Sequence, residues 1–95
     1  DIVSMAPWAG IKLLQIQQNL RYILAIELIV AGAANQIASP NLNPGKGTGA
    51  VLNILKSVCK YQNGDRVLSG EIESIAEKIQ SGELVNTVMN QLSLE

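Results

Sequence analysis

Pro44-Gly-Lys-Gly-Thr-Gly49 is the stretch whose residue types come nearest to chemistry. Backbone amides of closely spaced glycines, with a lysine beside them, can cradle a phosphate. The spacing is not that of a phosphate loop, because Lys46 is followed by Gly47 rather than by Ser or Thr. No apolar strand leads into it either. A flexible loop ending in a Thr48 N-cap accounts for the same residues.

The other reactive types are isolated. Glu27 is the one ionisable group between Tyr22 and Ala34, and a carboxylate buried there without a partner is costly. Arg21 is six residues away, not three or four, and so is not its neighbour on one helix. The expected partner comes from elsewhere, another subunit included, which makes Glu27 and Arg21 candidates for an oligomer interface or a buried ion pair. Asp65-Arg66 reads as a surface or interface salt bridge. Cys59 is alone, so no internal disulfide forms, and it reads as a small core residue next to Val58. The chain has no histidine, which removes the commonest general base and metal ligand. No catalytic constellation and no metal site emerge.

The elements that would position these groups are helical. Pro7 suits a first helical turn with Ser4 as N-cap, and a helix is expected over about 7–35, roughly 43 Å long at 1.5 Å per residue. Its first half has a polar side with Lys12, Gln15, Gln17 and Gln18; from Tyr22 to Ala34 it is apolar nearly all round. Such a helix is enclosed by other helices or lies in lipid. About 13 uninterrupted residues around Glu27 fall short of the roughly 20 that cross a bilayer, so no membrane is expected. A loop over 36–47 follows, dense in Pro, Gly and Asn. Short helices are expected over 49–61, over 70–80 with Ser69 as cap, and over 82–93 with Ser81 as cap. The third has Ile72, Ile75, Ala76 and Ile79 at i, i+3, i+4 and i+7.

The fold class is therefore all-α: one long central helix plus three shorter helices in a single segment, 1–95, of a larger helical bundle. A chain of 95 residues buries only about 60–65% of its unfolded surface, so much of the long helix has to meet other copies or a larger body. Net charge is −1 with the basic residues scattered, and no nucleic-acid footprint results. The lone cysteine makes a reducing, cytoplasmic setting the expectation. No basic leader precedes an apolar core, so no signal peptide is read. A first residue other than Met suggests a processed or excised piece, with Leu94-Glu95 as a vector scar.

Three stretches carry a resemblance. Asp1-Ile-Val-Ser-Met5, Asn19 through Leu24-Ala-Ile-Glu-Leu28, and Asp65-Arg-Val-Leu68 leading into Glu71-Ile-Glu73 resemble, in order and spacing, the C-terminal region of histidine ammonia-lyase and the aromatic amino acid lyases. Lys46-Gly-Thr48 is similar to that family's start of the following helix. The resemblance spans nearly the whole chain.

It implies a cytoplasmic homotetramer around a bundle of long helices, with active sites built from several subunits. Family members eliminate ammonia from histidine, phenylalanine or tyrosine, and relatives are aminomutases. Their electrophile is a methylidene-imidazolone made from an internal Ala-Ser-Gly. That tripeptide is absent here, so this chain carries no cofactor of its own and the parent enzyme would supply the group. The family's catalytic tyrosine has no match in Tyr22 or Tyr61. Asp1, Ser4 and Met5 match the family motif as supports of the substrate pocket, with no catalytic residue among them. Ile2, Ala6 and Ile11 stand where the histidine lyases usually have His, Gly and Arg, which leaves the amino acid substrate open.

The expected function is thus the C-terminal piece of an amino acid ammonia-lyase, contributing bundle and interface helices and inactive by itself. Its expected partners are the remainder of the parent lyase, other copies of itself and the parent's amino acid substrate. The alternatives are a non-catalytic helical oligomerisation module and a regulatory subunit of the same ancestry.

Overall fold

A computed structural model describes residues 2–38, 41, 43–61 and 65–92, with side chains from Met5 onward. Four helices occur in it: α1 (Ile2–Ala38), α2 (Lys46–Val58), α3 (Ser69–Ser81) and α4 (Glu83–Leu92). No strand is present among the described residues. The molecule is elongated, 60 × 40 × 18 Å, because α1 alone is 37 residues long, roughly 55 Å.

α1 exceeds the expected 7–35 at both ends. Ser4 lies within it rather than at its cap, and Pro7 is inside the helix. Proline's missing N–H would have met the carbonyl of residue 3, so only one bond in the first turns of α1 is lost. α2 likewise begins early, with Gly45 in the N-cap position and no side-chain cap. Thr48 is therefore a helical residue, and the Gly49 N–H donates to the Gly45 carbonyl at 2.7 Å. Glycine is a poor helix former, but here packing decides: a Cβ on Gly47 would lie 3.5 Å from Val88 and 3.6 Å from Leu92. The first turn of α2 is seated on α4.

α2 stops at Val58, and Cys59 turns extended (φ −99°, ψ 137°), so Cys59 follows the helix instead of lying within it. α3 has Leu68 at its N-cap position with no side-chain bond, and Ser69 is its first helical residue. Its end is sharper. Gly82 is left-handed at φ +83°, which an L side chain adopts at a cost. The Ser81 hydroxyl accepts the Glu83 N–H at 3.3 Å, the cap expected of it.

The core is small and one-sided. Ala25 and Ile29 of α1, Leu55 of α2, Cys59, Ile75 and Ala76 of α3 and Leu84 of α4 are buried together. α1 packs chiefly on α3, and α2 chiefly on α4. The apolar rod is not enclosed within this chain: Ile23, Leu24, Ile26 and Val30 stay exposed on it. Every residue from 5 to 20 is exposed as well. Three short helices have length enough to cover one side of the second half of α1 and no more. α1 is also longer than the roughly 13 uninterrupted apolar residues that fall short of a bilayer. The Met5–Ala38 stretch, with mean hydropathy 1.3 over its best window, is long and apolar enough by length and composition to cross a bilayer. It carries ionisable residues Lys12, Arg21 and Glu27 at intervals.

Candidate functional site

The tightest polar cluster sits where the chain leaves α2 and enters α3. Two residues after Cys59, the Tyr61 hydroxyl crosses to α1 and donates to the Ile29 carbonyl at 3.0 Å. It can do so because Gly32 is the next residue below on that face: a Cβ there would collide with the phenol oxygen and come within 3.0 Å of Cζ. Arg66 stands over the same ring, 5.5 Å from its centroid, in cation–π range. Its guanidinium donates twice to Glu71, from Nε to Oε2 at 2.7 Å and from Nη2 to Oε1 at 2.9 Å. A forked pair of this kind is stronger than a single contact. It also places a carboxylate in the first turn of α3, where the helix dipole favours it.

The electrostatics follow from these contacts. The Arg66 hydrogen bonds hold the Glu71 carboxyl below its ordinary range, and Glu71 in turn raises Arg66. Burial pushes the Tyr61 phenol well above its ordinary value and pushes the Cys59 thiol up. A buried thiol raised in this way is less of a thiolate and a poorer nucleophile. Beside the cluster is an open cleft of about 650 Å³ bordered by Ser57, Lys60, Arg66 and Ser74. Chemically the arrangement is a clasp. Its cation is already paired, and its thiol and phenol are held neutral.

Of the residues singled out in the sequence, Met5, Arg21 and Glu27 are not brought together. Asp1 lies outside the described residues, as does the side chain of Ser4. Met5 is exposed on bare helix. Arg21 is half-buried at a small pocket with Tyr22, Glu73 and Glu77, where the Tyr22 hydroxyl donates to Glu73 at 3.0 Å. Glu27 is exposed rather than buried. It lines an apolar groove of about 380 Å³ with Leu24, Leu28, Ala31, Ile79 and Val85. Neither Arg21 nor Glu27 has an ion-pair partner among the described residues. Arg66 pairs with Glu71, not with the adjacent Asp65. Among the described residues no three potential metal ligands cluster.

Tyr61, Gly32 and Glu71 are what the sequence reasoning missed. Glu71 follows Arg66 by five residues across a helix start, a spacing that fits no intrahelical rule. Gly32 amid apolar residues was the available signal, since a glycine inside a helix often marks close approach of another group.

One-sided packing on a long helix defines the class: an all-α protein whose longest helix keeps an uncovered apolar face. The family model for aromatic amino acid lyase matches residues 1–57. Histidine ammonia-lyase from Myxococcus xanthus is 38% identical over 88 residues, covering 93% of this chain and 17% of the relative. The histidine ammonia-lyase of Symbiobacterium thermophilum is 39% identical over 89 residues, with the same coverage of each. The probable histidine ammonia-lyase of Thermoplasma volcanium is 34% identical over 86 residues, or 90% of this chain and 17% of the relative. No solved structure gives a significant match. This chain belongs to the aromatic amino acid lyase family. It spans about 17% of the length of the relatives it matches.

Proposed function

We propose that this chain is the C-terminal piece of an amino acid ammonia-lyase of the histidine ammonia-lyase kind, which eliminates ammonia without oxidation from histidine or an aromatic amino acid. Its own part is mechanical. It supplies a long helix to the central bundle and a clasped three-helix unit that braces one side of that helix. Assembly into a cytoplasmic homotetramer belongs to the same reading, as does a pocket edge near Asp1, Ser4 and Met5. The chain contains no Ala-Ser-Gly, so its residues do not fit the methylidene-imidazolone electrophile, and no step of the elimination runs through them.

The observation that supports this reading is the bare first half of α1. Met5, Trp8, Ile11, Leu14 and Ile16 are all exposed on a helix whose relatives are several-fold longer proteins. An exposed apolar surface of that extent marks an interaction site, and other helices of the same enzyme fit it. Co-expression of the chain with the remaining part of its lyase tests this. The joint product should release urocanate from histidine or cinnamate from phenylalanine, followed by ultraviolet absorbance, and the chain alone should release neither. Stable co-purification without elimination of any amino acid would instead favour the second reading, a non-catalytic oligomerisation or regulatory module. That reading draws on the clasp-like character of the polar cluster.

A further inference from the structure

Where α2 ends against α1, few contacts hold the chain in place. Gly32 leaves a notch there that two side chains share, since a Cβ would collide with the Tyr61 hydroxyl and lie 3.2 Å from Leu55 Cδ1. Cys59 is buried and Tyr61 half-buried, whereas Lys60, Asp65, Val67 and Leu68 are all exposed. Among the described residues between α2 and α3, only the Tyr61 hydroxyl bonds to α1. Arg66 lies over the same ring, but its forked pair runs to Glu71 in α3. α1 and α3 pack on each other directly.

We propose that Tyr61 in the Gly32 notch is a latch: closed, it shuts the Cys59 thiol from solvent, and released, it bares that thiol while the helices stay packed. One neutral hydrogen bond and one half-buried ring hold far less than the whole core does, and a region held so lightly opens without global unfolding. The rest of the core does not depend on the latch, because Ala25, Ile29, Leu55, Ile75, Ala76 and Leu84 remain buried among themselves. Gly32 is the other half of the device. Only a residue without a Cβ lets the phenol reach the Ile29 carbonyl, so a side chain at position 32 acts on the latch as loss of the hydroxyl does. The inference concerns the packing of this chain alone and goes beyond the proposed lyase role, which it neither needs nor tests.

The test is alkylation of the 95-residue chain by iodoacetamide at fixed pH in increasing urea. Cys59 is its one thiol, so uptake reads that position alone. The parent chain should label more slowly than the urea-unfolded chain. Its rate should stay level in low urea and climb only where circular dichroism shows global unfolding. Tyr61→Phe and Gly32→Ala should each speed labelling without urea, the first roughly 2- to 12-fold, the factor that one hydrogen bond is worth. Val88 lies against Gly47 at the far end of α2, so Val88→Ala should lower the urea midpoint yet leave labelling without urea unchanged to within about 2-fold. A rate that climbs from the lowest urea in step with global unfolding, labelling indifferent to Tyr61→Phe, or faster labelling of Val88→Ala in proportion to its lost stability would each overturn the inference. The urea profile of the parent chain and the Tyr61→Phe rate decide the matter even where Gly32→Ala does not fold. None of these results bears on the lyase assignment, which elimination activity of the joined parts tests separately.

Discussion

The Tyr61 hydroxyl reaches the carbonyl of Ile29, 32 positions earlier in the chain, at 3.0 Å. That bond ties the segment between α2 and α3 to the one face of α1 that is packed. Tyr61→Phe keeps the ring under Arg66 and removes only the bond, so a loss of about 0.5–1.5 kcal/mol is expected by chemical denaturation.

The same phenol predicts an alkaline limb. Its folded value is raised above the ordinary 10.0 by burial, so the folded chain holds its proton after the unfolded chain has lost it. The contribution is complete below pH 10 and is lost as pH rises beyond it. Thermal melts of the parent chain from pH 9 to 11.5 should fall more steeply than those of Tyr61→Phe; parallel curves would contradict this.

Gly32 sets up a competition of opposite signs. Alanine there gains about 1 kcal/mol of helix propensity. Its Cβ, however, would collide with the Tyr61 hydroxyl and sit 3.2 Å from Leu55 Cδ1, and overpacking costs about 1–3 kcal/mol. Leu55 is fully buried and cannot retreat. Gly32→Ala is expected to lower the melting temperature, and to do so less when Tyr61→Phe removes the colliding atom.

Glu71 governs the acid side. Its carboxyl is held below the ordinary 4.5 by Arg66, so its contribution is present above about that pH and fades as pH falls through the lowered value. Glu71→Gln should be less stable than the parent at pH 7 and should approach it below pH 3. A constant difference across that range would mean the ion pair contributes nothing.

Leu55→Ala reports on the core itself. It empties a fully buried site in the core shared by all four helices, and a loss of about 2–5 kcal/mol is expected. In a unit this small that is enough to unfold most of it.

Much of this architecture is legible in the sequence, and the reasons for the remainder are physical. Periodic apolar residues such as Ile72, Ile75 and Ile79 fix α3 to within a residue at each end. Helix starts at Gly45 and Leu68 are less legible, because neither N-cap position carries the side-chain bond that Thr48 and Ser69 offer by residue type. The all-round apolarity of Tyr22–Ala34 correctly requires more cover than the chain contains. What it cannot specify is which side this chain covers, since Ala25 and Ile26 look alike until α3 is in place. Glu27 shows the same limit: apolar neighbours in the sequence imply a buried carboxylate, while the helix presents it outward at the edge of an apolar groove. The clasp of Tyr61, Arg66 and Glu71 depends on a connection without periodicity, and periodicity is what sequence reading uses.

On the proposed reading, the outer face of α1 is covered by protein in the parent lyase. Amide hydrogen exchange over residues 5–20 measures this most directly, in the isolated chain and in the intact natural protein. Exchange should be fast in the isolated chain and as slow in the intact protein as it is around Ala25 and Ile29. Equal and rapid exchange of residues 5–20 in both would contradict the account.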